Sequence, residues 1–132
     1  MKKAKIMIID DEEEMCEITK KLLERTRKFE AMFLTTGVGA VDLVKSYKPD
    51  LILLDESMPD MSGSEVAEHL FEEPLTKDIP VAFLTALVKS EEVKRTSGLI
   101  GGRFFIAKPV APDELISRIE SILKQYKSDS AE

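Results

Sequence analysis

Only one cysteine, Cys16, occurs in the 132 residues, so no internal disulfide can form. It falls within a predicted helix and reads as a structural residue that suits a reducing compartment. Positive charge is also short, with 19 Lys and Arg against 25 Asp and Glu, a net charge of -6. No basic stripe is visible in the sequence, which argues against nonspecific binding of nucleic acid or of an anionic membrane. Pairs such as Lys20-Lys21 read as solvated helix faces. No apolar run approaches the ~20 residues of a membrane-spanning helix. Lys2 and Lys3 are followed by a short apolar strand and then Asp10 and Asp11, which is no signal peptide. The expected location is cytoplasmic. Repeats, linkers and a second domain are lacking too, and a chain of this length forms one domain that buries roughly two-thirds of its unfolded surface.

What is present is alternation. Short aliphatic runs at residues 4–9, 31–35, 51–54, 79–84 and 103–107 read as strands, and amphipathic stretches separate them. A helix over 13–28 is expected to bury Met15, Ile18, Leu22 and Leu23, and one over 38–46 to bury Ala40, Leu43, Val44 and Tyr47. Ser62-Gly63-Ser64-Glu65 has capping-box spacing for a third helix that buries Val66, Ala67, Leu70 and Phe71. The fourth helix, capped by Ser90, offers only Val93 and Leu99 as an apolar face and is expected to be the least stable. Pro112, followed by Asp113 and Glu114, opens the last helix. Residues 1–124 are expected to form the domain, and 125–132 a frayed polar tail. Strict alternation predicts an α/β fold: a doubly wound, five-stranded parallel sheet in the order 2-1-3-4-5, flavodoxin-like, with helices on both faces.

The organising stretch is Leu51-Ile52-Leu53-Leu54-Asp55. Four aliphatic residues in a row predict a strand buried on both faces, and Asp55 emerges at its C-terminal end, where open α/β sheets place ligands. The first strand ends in Asp10-Asp11, the fourth in Thr85-Ala86 and the fifth in Lys108-Pro109. If strands one and three are neighbours, three carboxylates crowd one pocket, and their mutual repulsion calls for a cation. An all-oxygen donor set of high negative charge selects a hard ion, Mg²⁺ before Ca²⁺. The neighbouring Glu12-Glu13-Glu14 run reads equally well as a solvated helix start. A carboxylate, a metal site, a hydroxyl and a fixed positive charge together suit phosphoryl transfer, which is mostly positioning and charge neutralisation.

In Ile8-Ile9-Asp10-Asp11-Glu12, Leu53-Leu54-Asp55, Met58-Pro59 with Gly63, Leu84-Thr85-Ala86 and Lys108-Pro109, the chain resembles the receiver domain of bacterial two-component response regulators, of the single-domain, chemotaxis-regulator-like kind. The resemblance runs from Lys5 through Leu123. It implies that Asp55 accepts a phosphoryl group from a histidine kinase or a histidine phosphotransfer protein, and that the chain is no enzyme beyond its own phosphorylation and dephosphorylation. Asp10, Asp11 and Asp55 would hold Mg²⁺ together with the Ser57 backbone carbonyl. Thr85 and Lys108 would contact phosphoryl oxygens, across a Lys108-Pro109 bond implied to be cis. Phe105 matches the switch aromatic, which turns inward as Thr85 moves. The switch would act on the face formed by the fourth helix, the fifth strand and the last helix. Ser57 and Leu87 stand at the two positions that tune the lifetime of the phosphorylated state, and a short Ser with an apolar Leu implies slow self-dephosphorylation.

Four residues depart from the family pattern. Glu56 follows the acceptor where an aliphatic residue is commoner, and either hinders docking of a phosphodonor or points to solvent. Gly102-Arg103 replaces an acidic pair that many DNA-binding regulators use in dimerisation, leaving a monomer or weak dimer as the expectation. Phe105 lacks a tyrosine hydroxyl, so any switch is one of packing. With no output domain within these residues, the expected output is a downstream protein or onward relay, with neither nucleic acid nor membrane as partner. The competing readings are an inert receiver-like interaction module and an aspartate-nucleophile phosphatase. The latter resembles an Asp-x-Asp pattern, whereas here the two acids are adjacent. A flavin-binding relative would want a hydroxyl-rich or glycine-rich phosphate loop where this chain has acids.

Overall fold

A computed structural model describes residues 2–56, 58–85, 99–100, 103–108 and 110–130. In chain order these form β1 (Ala4–Ile9), α1 (Glu13–Arg25), β2 (Phe29–Leu34), α2 (Ala40–Tyr47), β3 (Leu51–Asp55), α3 (Gly63–Glu72), β4 (Val81–Thr85), β5 (Leu99–Ile100), β6 (Arg103–Ala107) and α4 (Pro112–Ser130). The sheet order is β2-β1-β3-β4-β6-β5. Its five long strands run parallel, so the expected 2-1-3-4-5 order holds with β6 as the fifth long strand. The sixth, two-residue strand is an addition. Leu99, expected on the face of the fourth helix, instead pairs antiparallel with Phe104, and Ile100 pairs with Arg103. Gly101-Gly102 between them is a two-residue hairpin signal that outweighs two isolated apolar residues at helical spacing.

Strand alternation divides the core into two layers. Ile6, Ile8, Leu51, Leu53 and Ile106 face α1 and α4, where Cys16, Leu23, Leu115 and Ile119 meet them. Met7, Ile9, Ile52, Leu54 and Phe83 face α2 and α3. Every residue of β3 is buried, as its unbroken aliphatic run requires. Each such side chain contributes roughly 1.5–3 kcal/mol on burial. The sheet is therefore a rigid platform for whatever its strand ends carry.

The inward face of α1 is the expected one at Leu23, which is buried, and at Leu22, which packs partly buried against the core, but not at Met15 and Ile18. Cys16 and Leu23, two turns apart, are fully buried, whereas Met15 and Ile18 are 47% and 59% exposed. On this inward side the Cys16 thiol donates a hydrogen bond to the Asp10 carbonyl at 3.2 Å. Phe71, expected in the core, is also partly exposed. The helix starting at Gly63 is capped as expected, with Ser62 Oγ accepting from the Glu65 N–H at 3.2 Å. The last helix runs to Ser130, through residues expected to fray. No described helix is long and apolar enough to cross a membrane. The expected fourth helix with Ser90 and Val93, the positions Ser57 and Leu87, and Pro109 with its preceding bond lie outside the described residues.

Candidate acidic site at the strand ends

Residues Asp10, Asp55, Thr85 and Lys108 all fall at the C-terminal edge of the sheet, because every long strand points the same way. β1 and β3 are hydrogen-bonded neighbours, with Ile9 opposite Leu54. Their extensions bring Asp10, Asp11 and Asp55 together so that one carboxylate oxygen from each lies within 4.8 Å of the others. Asp10 and Asp55 are buried, at 5% and 6% exposure, while Asp11 is exposed. Thr85 is buried at the end of β4, and its carbonyl accepts the Lys108 N–H at 2.9 Å.

Lys108 reaches across the edge. Its ammonium lies 3.2 Å from Asp55 Oδ1 and 3.7 Å from Asp10 Oδ2. Burial works to lower the Lys108 pKa, but the charges of Asp10 and Asp55 outweigh it and hold the ammonium above its ordinary value. Burial pushes the Asp10 carboxyl up, and the Asp55 charge adds to this. The Glu12 N–H at 3.0 Å and Lys108 pull the other way without cancelling it. One ammonium among three carboxylates leaves two negative charges uncompensated, and Asp11 is exposed to solvent. That donor set and charge fit a hard dication.

Glu12, Glu13 and Glu14 are exposed at the start of α1, the solvated reading of that run. Burial pushes the Cys16 thiol up to about 12, with Asp10 adding to the effect, so it is an inert structural residue.

Glu56 does not simply point to solvent. Its carboxylate accepts the Ser64 hydroxyl at 2.6 Å, and its carbonyl accepts the Gly63 N–H at 3.0 Å, tying the loop after Asp55 to the start of α3. The sequence carries no periodic signal for a contact across eight residues of loop. Gly63 is needed there because a Cβ would overlap the Asp55 carbonyl oxygen and come within 2.9 Å of Glu56 Cα. Phe105 stacks on Phe83, with ring centroids 5.3 Å apart and planes 23° from parallel. The sequence reading missed Phe83. Its position in register with Phe105, two residues before Thr85, is the signal that identifies it.

Residues 6–120 match the family model described as the response regulator receiver domain. Among curated proteins, the chain is 38% identical over 121 residues to the phosphate regulon transcriptional regulatory protein PhoB of Pseudomonas aeruginosa, covering 91% of this chain and 52% of that protein. It is 35% identical over 129 residues to PhoB of Escherichia coli, covering 97% and 55%. The chain thus spans about half the length of these relatives. Among solved structures, a response regulator from Desulfuromonas acetoxidans superposes with a TM-score of 0.76 at 28% identity, covering 92% of this chain and 98% of that one. The non-phosphorylated HemR receiver domain from Leptospira biflexa gives 0.73 at 30% identity, covering 92% and 94%.

Proposed function

The chain belongs to the response regulator receiver family, and from that membership we propose that Asp55 accepts a phosphoryl group from the phosphohistidine of a histidine kinase or histidine phosphotransfer protein. The observation that carries this reading is the Lys108 ammonium 3.2 Å from Asp55, with Asp10 and Asp11 gathered at the same strand edge. An Asp55 carboxylate oxygen attacks phosphorus in line, the P–N bond to the donor imidazole breaks, and the imidazole leaves with the bonding pair. Lys108 then neutralises charge on the phosphoryl oxygens from the side it already occupies. Thr85, buried beside it, supplies the hydroxyl.

Asp10, Asp11 and Asp55 would hold Mg²⁺, with the Ser57 carbonyl as a further ligand. When bound, the ion would neutralise phosphoryl charge and offset the repulsion among the three acids. The Phe83–Phe105 stack supports a packing switch, since any move of Thr85 toward a new phosphoryl oxygen disturbs the strand that carries Phe83. The signal would leave through the face that contains β6 and α4. Its recipient would be a downstream protein, reached by a monomer or weak dimer in the cytoplasm. Residues 1–124 would form the receiver unit.

Incubation with Mg²⁺ and acetyl phosphate should add one phosphoryl group by intact mass, labile to hydroxylamine. Asp55→Asn should take up none. Equal uptake by the Asn variant would remove Asp55 from the role.

A further inference from the structure

At the opposite edge of the sheet lies a half-open cleft of about 670 Å³, bordered by the start of β1, the turn before β3, Pro80 before β4 and the outer part of α4. Five lysines line it: Lys2, Lys3, Lys5, Lys48 and Lys124. They come from three separate stretches of sequence, and only folding gathers them in a chain whose net charge is -6. Its one acid, Asp50, directs a carboxylate oxygen to the Lys5 backbone N–H at 2.7 Å and forms no salt bridge to these lysines among the described residues. Lys5 is itself engaged, with its ammonium on the Tyr47 carbonyl at 3.3 Å and over the Tyr47 ring. Among the described residues the other four form no salt bridge, although acids outnumber bases in the chain.

Lys48 adds a second observation. It closes α2 at φ 55°, a left-handed position that favours Gly or Asn and costs a lysine backbone strain. Lys48 thus lines the cleft from the C-terminal end of α2. The remaining wall is apolar or aromatic: Ala4, Pro80, Leu123 and Tyr126. Tyr126 is anchored by a hydrogen bond from its hydroxyl to the Asp78 carbonyl, which gives the wall a fixed ring.

We propose that this cleft binds a small phosphorylated molecule with a planar apolar body, of the nucleotide class. The volume suits such a ligand, four lysines that form no salt bridge among the described residues match a chain of phosphates, and the Tyr126–Leu123–Pro80 wall matches a base. β1 joins the two ends of the molecule: Ala4 and Lys5 border the cleft, and Asp10 follows its last residue.

Calorimetric titration with ATP in Mg²⁺-free buffer containing EDTA tests this, since ATP then has no metal bridge to the acidic edge. ATP should bind at one saturable site, with adenosine and tripolyphosphate each at least tenfold weaker. A Lys48→Glu/Lys124→Glu variant should lose ATP affinity at least tenfold while acetyl phosphate still labels Asp55 at the wild-type rate. Lys48→Gly relieves the backbone strain, so it should melt no lower than wild type and still bind ATP more weakly. Absence of ATP binding, or lysine variants that bind as wild type does, would overturn the assignment. Tripolyphosphate binding as tightly as ATP would overturn the base-recognising wall, and tighter binding of a short single-stranded oligonucleotide would overturn the small-ligand class.

Discussion

The Lys108 ammonium and the Asp55 carboxylate, 53 residues apart in sequence, meet at 3.2 Å, and the same ammonium lies 3.7 Å from Asp10. Lys108 therefore occupies two of the three carboxylates that would hold a dication. Lys108→Met should free both and raise Mg²⁺ affinity about tenfold, equivalent to about 1.4 kcal/mol. Acetyl phosphate labelling should fall at the same time, because the phosphoryl oxygens lose a fixed positive charge. Mg²⁺ titrations by calorimetry on both proteins would check this. Unchanged or weaker affinity in the variant would show that the ammonium does not compete with the metal.

Burial raises the Asp10 carboxyl above its ordinary value of 3.8. A group raised in this way contributes stability below its unfolded pKa and loses it as pH rises through the folded one. At neutral pH, the ionised Asp10 is therefore a cost. Asp10→Asn keeps an oxygen for the Glu12 N–H and should stabilise the metal-free protein by on the order of 1 kcal/mol near pH 7. The gain should shrink to nothing below pH ~3.8, where the wild-type group is protonated in both states. Urea unfolding at several pH values measures this, and a gain that persists in acid would assign it to something other than charge. Mg²⁺ should protect the variant far less than wild type.

Gly63 and Gly37 both lack room for a Cβ, but against different neighbours. At Gly63 the obstacle is the Asp55–Glu56 backbone, whereas at Gly37 it is side chain alone, with Val66 Cγ2 at 2.7 Å and Met61 Cβ at 3.0 Å. Gly63→Ala should destabilise by about 1–3 kcal/mol and slow Asp55 labelling as the acceptor strand shifts. Gly37→Ala should cost less and leave labelling intact. Equal melting temperatures for the two variants would contradict the difference in what surrounds them.

The Glu56–Ser64 hydrogen bond at 2.6 Å pairs a charged acceptor with a half-buried hydroxyl. A double-mutant cycle with Glu56→Gln and Ser64→Ala should return a coupling of about 1–2 kcal/mol in stability. Additive effects would mean that the contact holds nothing in place.

By the family resemblance, Ser57 and Leu87 stand where a lifetime-tuning role is expected, and a short Ser with an apolar Leu is a poor set for ordering an attacking water. Phosphate release from pre-labelled protein should be slow, and Leu87→Gln should accelerate it several-fold. A variant that loses phosphate at the wild-type rate would refute control by Leu87.

The chain's own order of residues determined the sheet and the acidic edge. Leu51 to Leu54 are apolar on both alternating sets, which only a central strand can bury, and all four residues sit at or near zero exposure. Parallel strands share a direction, so any residue that ends one lies at the same edge as the residues that end the others. That is why Asp10, Asp55, Thr85 and Lys108 were legible as one site before any contact was seen. Tertiary structure decided what local periodicity does not encode. The rotation of α1 against the sheet turns Cys16 and Leu23 inward and leaves Met15 and Ile18 outside. Glu56 was turned toward Ser64 by the return of the chain after Pro59. The lysine cleft arises because the start of β1, the end of α2 and the outer part of α4 converge at one end of the sheet. Charges that look scattered and solvated along the sequence become neighbours there, since proximity between distant segments is set by packing and not by their spacing in the chain.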